Sequence, residues 1–255
     1  MKIAIMQPTY LPWMGYFDLM DQVDCFVILD SVQFERRSWQ QRNRIKTPRG
    51  LEWLTVPVIF HRSPGQQIEG QRIQDVEIRE PRFLQKQLRA IEHNYRASPH
   101  FDLYFPQLRE LLTIDHDHFA LVDLNLRLIE WLCHALGIQP RMVRSSTLGE
   151  PGKRCELLVN LCRRLQADFY LSALGSAVYL VDELALFSDA GIQVSFQNYE
   201  HPHYRQLFPP FCPYASVLDL LFNEGDRSME IIRSGRRVAF TPEQAAMATA
   251  AGAKS

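Results

Sequence analysis

The sequence has no excess of charge of either sign, and this excludes partners that bind through a strong overall field. Its 255 residues include 28 lysines and arginines against 29 acidic residues, so the net charge is −1. A nearly neutral chain attracts neither DNA nor an anionic membrane over a long range. We therefore expect no DNA partner, and any basic site has to be local.

Cysteine is scarce, and no two cysteines have the C-x-x-C spacing of a metal or redox site. The five thiols are those of Cys25, Cys133, Cys155, Cys162 and Cys212. An odd number of scattered cysteines indicates neither a disulfide framework nor a thiolate zinc site, and it predicts a reducing compartment.

Long apolar runs are missing as well. None approaches the roughly 18 residues that a membrane span needs, and no basic segment with an apolar run, as in a signal peptide, precedes the first predicted strand. We expect a soluble, cytoplasmic protein. Repeats and low-complexity linkers are also absent from the sequence.

The apolar residues that are present alternate between strand and helix patterns, which predicts an α/β protein. Apolar runs at 2–6 and 25–29 predict buried strands, with a crossover helix at 16–23 between them. The same alternation returns after Gly137, with strands at 142–143, 168–171 and 193–197 and helices at 156–165 and 181–190. The pattern predicts a Rossmann-like, mostly parallel sheet with right-handed crossovers.

An insertion at about residues 50–136 interrupts this alternation. Its first part predicts a β-hairpin with strands at 53–60 and 73–78, and Pro57 favours an edge position. Three helices follow between Arg82 and 136, from apolar residues at three- and four-residue spacing. We predict one α/β domain over 1–225, then a C-terminal helix and a frayed, alanine-rich tail over 226–255.

The first predicted strand opens into a turn that contains glycine and proline and then enters a helix. Such a turn places backbone N–H groups at the carboxyl edge of an α/β sheet, where these folds bind ligands. We expect a small anionic or nucleotide-like ligand there. The residues assigned to it are Gln7, Pro8, Tyr10, Gly15 and Tyr16. In the alternative, the prolines and Trp13 only shape and cover a loop.

Asp30 ends the second predicted strand at the same edge, and a polar run from Ser31 to Lys46 follows it. The carboxylate could orient a hydroxyl, bind magnesium or accept a proton from an attacking amine, or it could cap a helix. The run contains four arginines, whose forked donors match phosphate and carboxylate oxygens. From it we assign Gln33, Arg37, Gln40 and Asn43 to substrate binding, and Lys46 joins Asp30 as a catalytic candidate. A solvated face and an RNA contact remain alternatives.

A loop between a predicted strand and helix offers a second anion site at Ser145, Ser146 and Lys153. Adjacent basic residues at a helix start are unfavourable unless an anion binds there. The spacing from Gly149 to Lys153 excludes a Walker A loop. A plain loop at a helix N-terminus is the alternative.

The segment after the last predicted strand carries two histidines, His201 and His203. If that strand is parallel to the first, His201 is the best candidate for a general base, with Tyr199 and Tyr204 beside it. The pairs His201-x-His203 and His116-x-His118 are incomplete as metal ligand sets, so no metal site is assigned.

Three motif blocks near the start resemble the WbqC-like family. They are Gln7-Pro8-x-Tyr10-x-Pro12-x-x-Gly15-Tyr16-Phe17-Asp18, Phe26-Val27-Ile28-Leu29-Asp30-x-Val32-Gln33-Phe34 and Ser38-Trp39-Gln40-x-Arg42-Asn43-Arg44-Ile45-Lys46. Later blocks at Trp53, Tyr170, Tyr179 and Ser216 extend the resemblance over roughly residues 1–225. It implies that Ser172, Gly175 and Tyr179 contact substrate, although Ser172-Ala173-Leu174-Gly175-Ser176 stands where the family tends to have a Ser-Gly-x-Gly-Gly turn.

The resemblance implies a role in O-antigen and related surface-polysaccharide synthesis, as an acyl or amino-acyl (glycine-type) transferase or ligase. Its partners would be an amino-acid or acyl donor and a nucleotide- or lipid-linked sugar, with aminoacyl-tRNA a less favoured donor. The cofactor is not assigned, and ATP with magnesium stays open. The alternatives are a non-catalytic subunit that binds a nucleotide-sugar, and a nucleotidylyl-transferase-like enzyme. The latter is similar in its first turn, where Gly15-Tyr16 stands in the place of a Gly-His pair.

Overall fold

The computed structural model describes residues 1–59, 70–79, 82–113 and 120–252. Its strands in chain order are β1 (Lys2–Met6), β2 (Cys25–Ile28), β3 (Arg42–Thr47), β4 (Gly50–Thr55), β5 (Val58–Ile59), β6 (Glu77–Ile78), β7 (Met142–Arg144), β8 (Phe169–Ser172) and β9 (Gln193–Phe196). Its α-helices are α1 (Met14–Asp21), α2 (Arg82–Tyr95), α3 (Phe101–Leu111), α4 (Leu121–Ala135), α5 (Ser145–Leu148), α6 (Cys155–Arg164), α7 (Ala177–Leu180), α8 (Leu184–Ser188), α9 (Val217–Glu224), α10 (Ser228–Ser234) and α11 (Pro242–Gly252).

Five of these strands form one parallel sheet in the order β7-β2-β1-β8-β9. The chain builds outward from β1 on one side and then returns to continue from β8 on the other. The strand order therefore reverses between β1 and β8, which is the topological switch point of a doubly wound fold. This confirms the predicted Rossmann-like α/β class.

Helices cover both faces of the sheet, and successive strand residues serve opposite faces. Ala4 packs in one buried cluster with α1, α2, α3, α4 and α9, whereas Ile3 and Ile5 pack in a second cluster with α6, α7, α8 and Ala245 of α11. Because both faces are buried, β1 and β2 are continuous apolar runs in the sequence.

The predicted hairpin is displaced in the structure. Strand β3 comes from the polar run and pairs antiparallel with β4, and β4 ends before Pro57. The residues predicted as one strand at 53–60 are split between β4 and β5, and Phe60 lies outside the described residues. A 3₁₀ turn at Ile73–Asp75 shortens the second predicted strand to β6, which pairs with β5. Strand β3 was not predicted because its buried positions include the polar Asn43 and Lys46.

The three helices of the insertion are confirmed as α2, α3 and α4, whereas two other segments differ from prediction. The helix predicted at 181–190 is broken into α7, a 3₁₀ turn and α8. The tail predicted as frayed forms α11 up to Gly252. Thr241 and Gln244 form a reciprocal capping box at its start. Ala245 is fully buried, so packing as well as capping stabilises this helix.

None of the described helices is long and apolar enough to cross a membrane.

Candidate functional site

A cavity of about 350 Å³ opens at the carboxyl ends of β1 and β8. This is the switch point, where open α/β sheets bind their ligands. The cavity is lined by residues of β1 and its turn, the polar run, α6 and the segment after β8. They are Ile5, Met6, Gln7, Thr9, Leu29, Glu35, Ser38, Trp39, Gln40, Leu158, Tyr170, Ser172, Ala173, Gly175, Ser176 and Tyr179. We call it the switch-point cavity.

Two predicted residues, Gln7 and Gln40, meet in this lining. Gln40 is buried, and its Nε2 donates to Gln7 Oε1 at 2.8 Å while its Oε1 accepts from Glu35 N at 3.1 Å. The bond fixes the Gln7 side chain with its oxygen engaged. The Gln7 amide nitrogen, which has no hydrogen bond with the described residues, is left as a donor for a ligand.

A chain of hydroxyl groups forms the opposite wall. Ser172 Oγ donates to Tyr170 OH at 3.1 Å and lies 2.5 Å from Ser176 Oγ, which donates to Ala173 O at 2.7 Å. Burial raises the pKa of Tyr170 and of Tyr179, so both phenols stay neutral. The wall therefore offers neutral groups that donate as well as accept.

Gly175 leaves this wall open. A Cβ placed on it would meet no heavy atom within 4 Å. Gly175 is the one glycine in the segment that stands where the family tends to have a glycine-rich turn, and it borders empty space. The three residues implied by the resemblance, Ser172, Gly175 and Tyr179, all line the switch-point cavity.

A second cavity of about 300 Å³ adjoins the first and shares Met6, Thr9 and Trp39 with it. Its other lining residues are Trp13, Tyr16, Asn43, Arg44 and Tyr214. We call it the aromatic cavity. Thr9 Oγ1 is buried at the junction of the two cavities and has no hydrogen-bond partner in the part of the chain that the structure describes. A buried hydroxyl without a partner is uncommon and fits a ligand contact.

Gly15 and Tyr16 shape this junction. A Cβ on Gly15 would come within 2.3 Å of the Trp13 indole, so only glycine lets α1 begin beneath that ring. Tyr16 OH donates to Gln7 O at 3.3 Å, and burial raises its pKa well above the ordinary value. The phenol thus supports the β1–α1 turn, and this bond weakens the comparison with the phosphate-contacting position of nucleotidylyl transferases.

Asn43 holds the same turn from the other side. Its Nδ2 donates to Tyr10 O at 3.2 Å and to Leu11 O at 2.6 Å, and its Oδ1 accepts from Arg44 N at 2.8 Å. Leu11 has φ +45°, a conformation that these bonds help to maintain. Asn43 therefore joins the hairpin to the turn as well as lining the aromatic cavity.

Asp30 does not line either cavity, which corrects its assignment as a catalytic residue. The side chain is fully buried. Its Oδ1 accepts from Ser145 Oγ and Ser146 N at 3.0 and 2.9 Å, and its Oδ2 accepts from Arg144 Nε and Ser146 Oγ at 2.6 and 2.8 Å. The anion that Ser145 and Ser146 bind is thus Asp30 itself, which corrects the second anion site too.

Lys46 is also removed from the predicted site. It is buried, and its Nζ donates to Pro210 O at 2.8 Å and lies 3.2 Å from Cys212 Sγ. Tyr95 OH accepts from Lys46 N at 2.8 Å and, like Tyr204 OH, donates to the buried Asp219. Lys46 and Tyr204 therefore belong to a structural polar network behind the hairpin.

His201 has both ring nitrogens engaged, which corrects its assignment as a general base. Nδ1 lies 2.9 Å from Pro202 O, and Nε2 accepts from Tyr214 N at 3.0 Å. The ring stacks on Trp13 with an interplanar angle of 13°. Burial lowers the pKa of His201, which matches a neutral imidazole that donates through Nδ1 and accepts through Nε2.

The remaining predicted residues lie outside the two linings. Tyr10 is buried with its OH donating to Gln87, Pro8 O accepts from the buried Asn125, and Tyr199 packs edge-on against Trp13. Gln33, Arg37 and Lys153 are exposed and line neither cavity.

Sequence reasoning missed Thr9, Trp13, Glu35, Trp39, Arg44, Ser176 and Tyr214 as lining residues. For most of these the signal was present, because they stand inside or beside the quoted motif blocks. Tyr214 had no such signal, since it reaches the aromatic cavity from the segment before α9. No three potential metal-ligating side chains lie together in the part of the chain that the structure describes. His116 and His118 are outside that part.

The sequence matches a known protein family. The model of the WbqC-like protein family matches residues 7–231. An uncharacterized protein of Mycobacterium tuberculosis is 38% identical over 240 residues, which are 92% of this chain and 99% of that relative. No solved structure matches the chain significantly.

Proposed function

The chain belongs to the WbqC-like protein family, and from that premise we propose that it is an enzyme of surface-polysaccharide synthesis. It holds the sugar of a nucleotide- or lipid-linked substrate in the switch-point cavity and transfers an acyl or amino-acyl group to it.

One observation carries the proposal, namely the lining of the cavity at the switch point. Eight side chains there carry neutral amides or hydroxyls, namely those of Gln7, Thr9, Ser38, Gln40, Tyr170, Ser172, Ser176 and Tyr179. Sugar hydroxyls donate and accept, and so do these groups, whereas a phosphate would favour cationic donors. The lining therefore suits a sugar ring.

Glu35 is the carboxylate that this lining supplies. In the transfer, a sugar amine or hydroxyl attacks the acyl carbon, the new bond forms, and the bond to the leaving group breaks. The proton of the attacking group passes to Glu35, which takes the role first assigned to Asp30 and His201.

A non-catalytic subunit that binds a nucleotide-sugar is the second candidate. The observation in its favour is that Asp30, Lys46 and His201 are each bonded within the protein. Binding of the sugar is common to the two candidates, and only turnover separates them.

Binding is tested by saturation-transfer NMR with neutral methyl glycosides. Gly175→Leu should fill the open wall and abolish the signal, whereas Ala185→Leu, at an exposed position of α8 outside the lining, should leave it unchanged. A glycoside signal that survives Gly175→Leu would refute the assignment of the cavity.

Turnover is tested by mass spectrometry after incubation with sugar-nucleotides, ATP and amino acids or acyl thioesters. The enzyme should add an acyl mass to the sugar, and Glu35→Gln should remove that activity while glycoside binding is retained. Binding without any product would favour the non-catalytic subunit.

A further inference from the structure

The outer face of the β3–β4 hairpin carries two arginines interleaved with two indoles. Arg42 and Arg44 are alternate residues of β3 and so lie on one face, and Trp53 of β4 pairs directly with Arg44. The Arg42 guanidinium lies 4.2 Å from the Trp53 ring, and that of Arg44 lies 5.4 Å from both Trp39 and Trp53. We call Trp39, Arg42, Arg44 and Trp53 the guanidinium–indole ladder.

Aromatic rings hold these two cations in place of acids. Among the described residues, no carboxylate lies within 4 Å of either guanidinium, whereas Arg49 at the hairpin turn pairs with Glu52 at 2.7 Å. Both arginines are half-buried, and their Nε atoms are buried with no hydrogen-bond partner among the described residues. Two partly desolvated cations without a counter-ion create a local positive potential on an otherwise neutral protein.

The ladder is continuous with the two cavities. Arg44 and Trp39 line the aromatic cavity, and Trp39 also lines the switch-point cavity. Trp39 and Tyr214, which line the aromatic cavity, and Trp53 of the ladder remain about half exposed, at 47%, 50% and 45%. A ligand whose neutral end fills the switch-point cavity would therefore place its next group beside Arg44.

We propose that the guanidinium–indole ladder binds the diphosphate of a diphosphate-linked sugar. Paired arginine forks suit phosphate oxygens, and the exposed rings give the group attached beyond the diphosphate a surface to stack on. That the ligand carries a sugar in the switch-point cavity rests on the proposed function, whereas the binding of a diphosphate at the ladder does not. The diphosphate can come from a nucleoside or from a polyprenyl carrier.

A single-stranded nucleic acid is the less favoured occupant. Nucleic-acid surfaces repeat cations along a groove that tracks the backbone, but the ladder has two cations about 7 Å apart along one strand. It also leads into the switch-point cavity, whose polar lining groups are neutral apart from Glu35 and suit the end of a small molecule.

The test uses inorganic pyrophosphate, followed by isothermal titration calorimetry and by quenching of tryptophan fluorescence. Arg42→Gln and Arg44→Gln should each weaken pyrophosphate binding about tenfold or more, as expected for a charge-assisted bond. Arg49→Gln, on the same hairpin but paired with Glu52, should leave the affinity within twofold. No pyrophosphate binding, or equal losses in all three variants, would overturn the proposal.

Further titrations identify the source of the diphosphate. If uridine diphosphate binds more tightly than pyrophosphate, the carrier is a nucleoside. If geranyl diphosphate binds more tightly than pyrophosphate, the carrier is a lipid. Either result supports the site. Affinity for a single-stranded oligonucleotide that exceeds that for pyrophosphate and rises with length would overturn it. Binding of neutral glycosides is measured in the same variants. This second affinity tests the proposed sugar site independently of the diphosphate site.

Discussion

Four hydrogen bonds surround the Asp30 carboxylate, and they make it the link between β2 and the β7–α5 corner. Asp30→Asn should lower the free energy of unfolding by about 3 kcal/mol, because it leaves Arg144 and a buried N–H without their anion. Urea denaturation measures the loss. Turnover should fall only as far as folding does, since Asp30 does not line the cavity.

Asp123 is the matched control, because it is the other carboxylate on Arg144. Its contact is 3.3 Å long and its side chain is 48% exposed, so Asp123→Asn should cost less than about 1 kcal/mol. Similar losses for the two variants would show that Asp30 has no special structural role.

His201 gives the protein a titration between neutral and acidic pH. Its pKa is lowered in the folded state by burial, so the unfolded chain binds the proton more readily. The stability that it contributes is present above the unfolded pKa of about 6.5 and is lost as the pH falls through the lower folded pKa.

His201→Gln should therefore flatten the dependence of unfolding free energy on pH below about 6.5. Val238→Gln, at an exposed position, should keep the wild-type slope because neither side chain titrates. Thermal unfolding across a pH series measures both. An unchanged slope in the His201 variant would contradict a neutral imidazole with both ring nitrogens in hydrogen bonds.

At the scale of elements, α1 depends on one glycine. Gly15→Ala places a methyl group within 2.3 Å of the Trp13 ring, which has to move. We expect a loss of about 1–3 kcal/mol from overpacking together with a change in Trp fluorescence, because Trp13 lines the aromatic cavity. Gly175→Ala adds the same atom in open space and should change stability by less than about 0.5 kcal/mol. The reverse order would contradict the packing described at α1.

The elements that could be predicted are those whose buried faces leave a regular pattern of apolar residues in the sequence. Strands β1 and β2 are apolar on both faces, and α2, α3 and α4 have one apolar stripe each, so their periodicity is visible in the sequence. Strand β3 has no such visible pattern, because the buried Asn43 and Lys46 are polar and bind partners that lie far away along the chain. The turn at Gln7 and the polar run were both assigned to ligand binding, and in the structure Gln40 donates to Gln7.

The roles of single residues were harder to predict than the elements that carry them. Asp30 was placed correctly at a strand end, but the groups that neutralise it lie about 115 residues further on. His201 was placed after β9, as expected, yet its ring is engaged by Pro202 and Tyr214. A sequence reveals which groups reach a sheet edge, and only tertiary contacts decide which of them remain free.

At the scale of the whole molecule, one sheet separates two buried clusters, and the prediction concerns their coupling. Ile5 is in the second cluster, whereas Trp13 and Trp131 pack against the first. Ile5→Ala should cost about 2–5 kcal/mol and should shift the unfolding midpoint seen by Trp fluorescence and by far-UV circular dichroism equally. A fluorescence midpoint that does not move would mean that the two faces unfold separately.

Ser216 connects segments that are far apart along the chain. Its N–H donates to Arg44 O at 2.8 Å, and the next residue, Val217, donates to Pro12 O at 2.9 Å. The hairpin and the β1–α1 turn are thus both anchored by a segment more than 160 residues later in the chain. A ribosome synthesises the chain from the N-terminus. The lining residues between Met6 and Arg44 are therefore made long before Tyr214, which completes the aromatic cavity, and Ser216, which anchors the hairpin. The aromatic cavity is therefore complete only after Tyr214 has been made, and we expect a ligand of this cavity to stabilise late rather than early stages of folding.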